Sequence, residues 1–279
     1  GGDQRKWYGN QTYIVDWEDD GFRIKNFCDA KGKQRSVVRN PDQYFKPSIS
    51  WSDICSSDTS YKVYPNGFIF DVCGMSCFNA KNPINLLGVL NTKFYAKVSK
   101  LLNPTMHFQI GDFKKLPYIE VESNSFEERV SENITISRLD WDSRETSWNF
   151  KRNELLHYAD GSIDADCEAL LNTDAGHNLR PTSIISNDQN KEKKTVASAY
   201  EVYKKVWEAR FMQIHTNEEE LNRQFIEIYG LQDELTKDVP LEEITILQQG
   251  EISIKEGHIE WHDDVVMKQP ISYAVGCIM

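Results

Sequence analysis

The residues near the start of the chain carry side chains that proteins use to contact nucleic acids. The stretch 5–10, RKWYGN, combines two cations, two aromatic rings, a flexible glycine and an amide. Arg and Lys neutralise phosphates, whereas Arg and Asn can also pair with the edges of guanine and adenine in the major groove. A buried Trp7 with solvent-exposed Arg5 and Lys6, or a joint to another domain, would use the same residues, so these alternatives stay open.

A second group of cations follows between residues 31 and 46. Its members are Lys31, Lys33, Arg35, Arg39 and Lys46. Such a loop is suited to phosphate contact, although a run of charges is more often simply solvated. From both groups, their polar and aromatic neighbours and one lysine of a later helix, we predict the DNA-binding residues Arg5, Lys6, Tyr8, Asn10, Lys33, Arg35, Arg39, Lys46, Trp51, Ser52 and Lys93.

Signatures of a catalytic site are missing from the sequence. It contains no G-x-x-x-x-G-K-[ST] or G-x-G-x-x-G phosphate loop, no H-E-x-x-H and no G-x-S-x-G. The stretches 82–85, NPIN, and 103–106, NPTM, begin like the Asn-Pro-Pro-aromatic loop of amino methyltransferases, but both lack the second proline and the aromatic residue. We therefore predict no catalytic residue in this chain.

Metal ligation is the other chemistry to consider. Cys73 and Cys77 are four residues apart, as are His258 and His262, and either pair could contribute to a metal site. Neither pair is joined by further ligands at matching spacing, so we predict no metal site. The six cysteines are too sparse for a disulfide scaffold, which favours a reducing, cytoplasmic location.

The first half of the chain has the pattern of an α+β domain. We predict strands at 12–15, 49–54 and 67–71, separated by turn-forming clusters such as 19–21, DDG. A helix should begin with Asn82 as its cap and Pro83 in its first turn, continue through apolar positions to Leu101, and stop at Asn103-Pro104.

The second half is acidic and predominantly helical in pattern. Apolar residues recur at helical spacing from Val196 to Ile214, and Asn217 with Glu220 resembles a capping box for a second helix that ends at Gly230. This pattern predicts an αα-hairpin. We predict a DNA-reading domain over residues 1–122, a linker with an irregular insertion over 123–195, and a helical C-terminal region over 196–279.

The charge distribution separates the two halves. Residues 1–118 hold 16 Lys and Arg against 11 Asp and Glu, a net charge of +5, whereas residues 119–279 hold 16 against 32, a net charge of −16. The first half could therefore face a polyanion. Apolar runs fall well short of the roughly 20 residues that a membrane-spanning helix needs, which predicts no membrane partner.

Eight segments of the chain carry a resemblance to a known family. They are GGDQRKWYGN at 1–10, YF at 44–45, ISWS at 49–52, GFIFD at 67–71, LNTK at 90–93, LNPT at 102–105, EELNRQFIEIYGLQDEL at 219–235 and ISYAVGC at 271–277. In this order they resemble the PglX family, the adenine-specific DNA methyltransferases of bacterial BREX phage-defence systems. The insertion at 160–195 and the end at Met279 depart from the family pattern.

The resemblance implies a parent enzyme that transfers a methyl group from S-adenosylmethionine to the exocyclic amino group of adenine in double-stranded DNA, after extruding the base. We expect this chain to be a segment of such a polypeptide that reads the target sequence, while the cofactor binds an upstream methyltransferase domain. The alternative is a protein-interaction module that docks other BREX subunits or a DNA-mimicking phage inhibitor.

Overall fold

The chain forms two compact units, Gly1–Ile134 and Thr135–Met279. The computed structural model describes residues 4–159 and 195–279. Both units combine helices with a small antiparallel sheet, which confirms the predicted α+β class. The insertion predicted at 160–195 lies outside the described residues, except for Thr195. The domain boundaries predicted at residues 122 and 195 stay predictions.

A three-stranded antiparallel sheet forms the centre of the first unit. Its strands are β1 (Ser48–Ser52), β2 (Lys62–Tyr64) and β3 (Gly74–Phe78), in the order β2-β1-β3. Ile49 of β1 is paired with Val63 on one side and with Cys77 on the other. The strand predicted at 49–54 is therefore confirmed as the central strand.

The other two predicted strands are wrong. Residues 12–15 form no strand, and Tyr13 and Ile14 are exposed, because no neighbouring strand pairs with them. Residues 67–71 bond instead to a single residue of the preceding loop: Phe45 donates its backbone N–H to the Phe68 carbonyl at 2.8 Å and accepts from the Gly67 N–H at 3.0 Å. A β-prone composition without a ladder partner does not make a strand.

The helices of the first unit follow and precede this sheet. They are α1 (Glu18–Lys25), a 3-10 turn (Pro41–Gln43), α2 (Pro83–Leu90), α3 (Lys93–Leu102), α4 (Ile110–Phe113) and α5 (Asn124–Asp142), which continues into the second unit. The start of α1 is a left-handed turn, since Asp19, Asp20 and Gly21 all have positive φ. The predicted turn at 19–21 is present there.

The helix predicted from Asn82 to Leu101 is two helices. Asn82 does cap α2, accepting from the Asn85 N–H at 3.2 Å, and α3 does end before Asn103. Between them the Asn91 side chain accepts from the Tyr61 N–H and donates to the Tyr61 carbonyl, both at 3.0 Å. This tertiary contact occupies the position where a continuous helix would pass.

The second unit is built around one long helix. Its elements are α6 (Glu154–Ala159), α7 (Val196–Tyr229), a 3-10 turn (Leu241–Glu243), β4 (Ile252–Lys255), β5 (His258–Trp261) and α8 (Asp263–Ile278). β4 and β5 form an antiparallel hairpin. No described helix has the length and apolar character that crossing a membrane requires.

The αα-hairpin predicted for residues 196–230 is wrong, because α7 runs unbroken for 34 residues. Asn217, the predicted start of a second helix, is fully buried inside it. Buried apolar residues recur at helical spacing on both sides of Asn217: Phe211, Ile214, Leu221 and Phe225. The apolar stripe therefore continues along the same face of one helix. The predicted end is confirmed, since Gly230 adopts a left-handed φ of 64° at the C-cap.

Candidate nucleic-acid interface

The second basic group of the sequence forms a short hairpin, which we call the basic hairpin, at residues 28–35. Cys28 and Gln34 are joined as an antiparallel bridge, and the Asp29 N–H donates to the Lys33 carbonyl at 2.9 Å. Gly32 has a φ of 76°, a conformation that suits glycine. Lys31 and Lys33 are therefore held, exposed, at the tip of a defined turn.

Asp29 organises this turn with its carboxylate. One oxygen, Oδ1, accepts the backbone N–H groups of Lys31 at 3.0 Å and Lys33 at 2.9 Å. The other, Oδ2, lies 3.0 Å from Nη2 of Arg35. An Asp side chain that bonds to backbone N–H groups two and four residues ahead fixes the loop without any apolar core.

The basic hairpin is anchored to α1. Gln34 donates its side-chain amide to the Lys25 carbonyl at 2.9 Å, and the Ser36 hydroxyl donates to the Ile24 carbonyl. Arg35 donates its N–H to the Phe27 carbonyl at 2.8 Å. Cations at the tip are thus presented on a local framework rather than on a free loop.

Arg35 also lines a surface groove of about 630 Å³, which we call the groove throughout. Its other polar lining residues are Arg39, Asn40, Gln43, Asp71, Ser76 and Gln109. The aromatic rings beneath are packed edge to face, with 5.0 Å between the centroids of Tyr44 and Phe70. The groove therefore combines cations and amides at one place, next to the basic hairpin.

Exposed aliphatic side chains complete the groove. Val37 and Val72 line it with 73% and 66% of their surfaces accessible to solvent, and Ile110 is exposed as well. Aliphatic groups left in water beside Arg and Asn side chains favour a ligand that has both apolar and hydrogen-bonding edges.

The structure brings together only some of the predicted site residues. Lys33 lies on the basic hairpin, Arg35 belongs to both the hairpin and the groove, and Arg39 lines the groove. Lys46 is exposed just before β1, while Ser52 in β1 and Lys93 at the start of α3 are half-buried. None of these last three lines the groove.

Arg5, Tyr8 and Trp51 are corrections to the predicted site, because all three side chains are buried. Arg5 donates through Nε to the Tyr8 carbonyl at 2.6 Å. Trp51 donates through Nε1 to the Phe108 carbonyl at 2.9 Å, and its ring stacks on Phe113 at 4.5 Å. These residues fill the core beside the sheet, and they cannot reach a duplex.

The neighbours of Arg5 share this inward position. Lys6 and Asn10 are half-buried, and Trp7 is buried and bridges to Lys62 of β2. Lys62 is itself buried: removal from water, aided by the nearby Arg5 charge, lowers its pKa to about 8. The first basic stretch of the chain is therefore mostly structural.

Sequence reasoning missed Asn40 and Gln109. Asn40 precedes Pro41, a turn signal that could have identified it, and it has a left-handed φ of 51°. Gln109 lies about 70 residues from the basic group, and no local pattern connects the two.

The metal-site candidates of the sequence do not gather ligands. Within the described ranges, no three His, Cys, Asp or Glu side chains come close enough to hold an ion. His258 lies in β5 and His262 follows that strand, so they do not share a helical face. Cys73 is exposed ahead of β3, which contains Cys77.

The charge of the site is local rather than global. The first unit, with α5 contributing acidic residues, holds 17 Lys and Arg against 16 Asp and Glu, a net charge of +1. Residues 31–46 hold five Lys and Arg and one acidic residue, Asp42, a net charge of +4. Attraction for a polyanion would therefore come from local basic segments such as this one rather than from the net charge of the unit.

Comparison with known proteins identifies relatives. The chain is 35% identical to adenine-specific methyltransferase PglX of Lacticaseibacillus casei (strain Zhang) over 281 residues, which cover 100% of this chain and 20% of that protein. It is 28% identical to adenine-specific methyltransferase BrxX of Escherichia coli O9:H4 (strain HS) over 286 residues, with the same coverage. No family model matches the chain.

Both similarities extend over the whole chain, but the chain spans only about a fifth of the length of these curated relatives. The resemblance noted in the sequence segments is confirmed at the level of whole-chain identity. The chain is, over its full length, a relative of one part of the PglX adenine-specific methyltransferases.

Proposed function

We propose that this chain is the DNA-recognition module of an adenine-specific methyltransferase that acts in bacterial phage defence. In this proposal the parent enzyme transfers a methyl group from S-adenosylmethionine to adenine, and other parts of the polypeptide hold the cofactor and the catalytic loop. The relatives named above support the methyltransferase context.

The observation that carries the DNA-binding role is the position of Arg35. Arg35 belongs both to the basic hairpin, whose tip exposes Lys31 and Lys33, and to the groove, which also contains Arg39 and Asn40. Cations at an edge suit phosphates, and Arg and Asn in an adjoining groove suit base edges. Lys46, Ser52 and Lys93 stay in the proposal as peripheral contacts.

The ion pair of Arg35 with Asp29 does not prevent this role. The Arg35 side chain is 55% accessible, and exposed ion pairs stabilise proteins by only about 0–1 kcal/mol. A DNA phosphate could therefore replace the Asp29 carboxylate as the partner of Arg35, or share the Arg35 guanidinium with it, at small cost.

A second candidate function is protein docking. Ile271, Val275 and Ile278 recur at helical spacing along α8 and are all exposed. An apolar stripe of this kind favours a protein partner such as another subunit of the defence system. A DNA-mimicking inhibitor would instead compete for the basic hairpin.

The experiment is a titration of the 279-residue chain with duplex DNA at several salt concentrations, read by fluorescence anisotropy. We expect the affinity to fall steeply as the salt concentration rises. The triple variant Lys33→Ala, Arg35→Ala, Arg39→Ala should bind more weakly, and its slope of log K against log salt concentration should be shallower by up to about 3.

The matched control is Lys237→Ala, Lys255→Ala, Lys268→Ala, which removes three exposed, ion-paired lysines of the second unit. It should bind like the unmodified chain. Absence of salt-dependent binding, or equal losses in the two triple variants, would refute the proposed DNA surface.

A further inference from the structure

We infer that the groove, and within it Arg39 and Asn40, reads base edges in the major groove of the bound duplex, whereas the basic hairpin contacts only phosphates. This inference rests on the proposed DNA-recognition function and divides its surface into a reading part and a positioning part.

Arg39 has the chemistry and the freedom for base reading. Its side chain is exposed in the groove, and within residues 4–159 and 195–279 it forms no ion pair or hydrogen bond. Arg35, by comparison, is held by Asp29 at 3.0 Å. The planar guanidinium fork matches the O6 and N7 acceptors of guanine, a fit that an ammonium group cannot reproduce.

Asn40 adds a donor and an acceptor next to Arg39. Its backbone precedes the 3-10 turn at Pro41–Gln43, but its side chain does not cap that turn. The amide is exposed and lines the groove. An Asn amide in this state can pair with N6 and N7 of adenine.

The aliphatic lining separates base reading from phosphate binding. Val37 and Val72 are mostly exposed within the groove, beside Arg39 and Asn40. A phosphate gains nothing from an aliphatic neighbour, whereas the methyl group of thymine does. At the tip of the basic hairpin the exposed side chains are those of Lys31 and Lys33, and the only aliphatic group beside them is the methyl group of Ala30.

Support for the groove comes from its local packing. Phe70 lies 5.0 Å from Tyr44 and 5.2 Å from Phe78, measured between ring centroids. The Gln43 amide donates to the Asp42 carboxylate at 2.6 Å, within the turn that follows Asn40. Base discrimination needs side chains presented on a packed surface, because small displacements lose the bidentate geometry.

The test is selection of bound duplexes from a pool with randomised base pairs, using the full 279-residue chain and sequencing the bound fraction. Arg39→Lys keeps the charge and loses the fork. Asn40→Gly keeps the positive φ without strain and loses the amide. Asn79→Gly is the control, since Asn79 is also exposed, has a φ of 56° and lies outside the groove.

We expect a sequence preference for the unmodified chain and for Asn79→Gly. Arg39→Lys should lose preference for guanine at one position, and Asn40→Gly for adenine at another, each by roughly 5- to 150-fold. Affinity for the unselected pool and its salt dependence should stay close to those of the unmodified chain.

The failures of the two proposals look different. Absence of any salt-dependent binding would overturn the DNA-recognition function together with this inference. Salt-dependent binding whose base preference is absent, or is unchanged in Arg39→Lys and Asn40→Gly, would overturn the reading role of the groove and leave the DNA-binding surface standing.

Discussion

The guanidinium of Arg35 lies 3.0 Å from the same Asp29 carboxylate whose other oxygen accepts the backbone N–H groups of Lys31 and Lys33. One acidic side chain thus both shapes the basic hairpin and restrains the cation that connects it to the groove. The shape of the hairpin depends on a side-chain oxygen that accepts hydrogen bonds, whereas the restraint on Arg35 depends on the negative charge of Asp29. Substitutions of Asp29 can therefore separate the two roles.

The first prediction concerns the shape of the basic hairpin. Asp29→Ala removes the acceptor of both N–H groups, so the amides of Lys31 and Lys33 should exchange with deuterium roughly 10-fold faster, the effect of losing about 1.4 kcal/mol of hydrogen bonding. Asp29→Asn keeps a carbonyl acceptor and should leave exchange much slower than in the alanine variant. An alanine variant whose amides exchange as slowly as those of the unmodified chain would show that the carboxylate does not hold the turn.

The second prediction concerns the close approach of α2 and α5 at Gly88. A Cβ there would overlap Cγ2 of Val130 and would lie 2.7 Å from Cε1 of Phe126. Alanine normally favours a helix over glycine by up to about 1 kcal/mol. Overpacking costs about 1–3 kcal/mol, so we expect Gly88→Ala to lower the free energy of unfolding measured by urea denaturation.

Gly276→Ala is the matched control for Gly88→Ala. Gly276 is also helical, in α8, but a Cβ there meets no atom within 4 Å. This variant should be neutral or slightly more stable. If both alanines stabilised the protein, the approach of α2 to α5 would be looser than described.

The third prediction concerns Lys62 and pH. Burial lowers its pKa from 10.5 to about 8, so between these values the unfolded chain binds more protons than the folded protein. The free energy of unfolding should therefore rise with pH across this window, by up to about 3 kcal/mol, and the penalty is fully present below pH 8.

Lys62→Met removes the buried ammonium group. The variant should be more stable than the unmodified chain at pH 7, and the difference should shrink as the pH rises to 10.5. Urea denaturation at half-unit pH steps measures both profiles, and the other titrating groups cancel in their difference. Lys46→Met, at an exposed lysine, should change stability little at pH 7, and parallel profiles for Lys62→Met would contradict the assignment.

The fourth prediction concerns a buried ionic cluster in the second unit. Arg144 is paired with Asp140 at 3.0 Å and with Glu251, all three being buried, and Asp140 also accepts the Leu247 N–H at 3.1 Å. Glu251→Ala leaves the arginine charge short of a partner, which should cost about 3 kcal/mol or more of unfolding free energy.

Glu260→Ala serves as the comparison for Glu251→Ala. Glu260 forms an exposed ion pair with Lys255, also in the second unit, and exposed pairs contribute about 0–1 kcal/mol. Denaturation midpoints should therefore fall clearly for Glu251→Ala alone. Similar small shifts in both variants would mean that the Arg144 cluster is solvated.

Features encoded within one short stretch were predictable from the sequence. Asn82 and Pro83 start α2, Gly230 ends α7, and the apolar alternation around Ile49 places the central strand. Each depends on a side chain and backbone groups only a few residues away, so the local sequence contains the whole cause. The concentration of cations at 31–46 is local in the same way.

Only the tertiary structure decided the contacts between residues that are far apart in the sequence. Asn91 bonds to Tyr61 and divides a predicted helix, while the sheet and its surroundings bury Arg5, Tyr8 and Trp51. The groove joins Arg39 and Asn40 to Val72 and Gln109. The sequence determined which side chains were available for the proposed DNA surface. Folding decided which of them reach the surface together, because burial depends on neighbours that sequence spacing does not reveal.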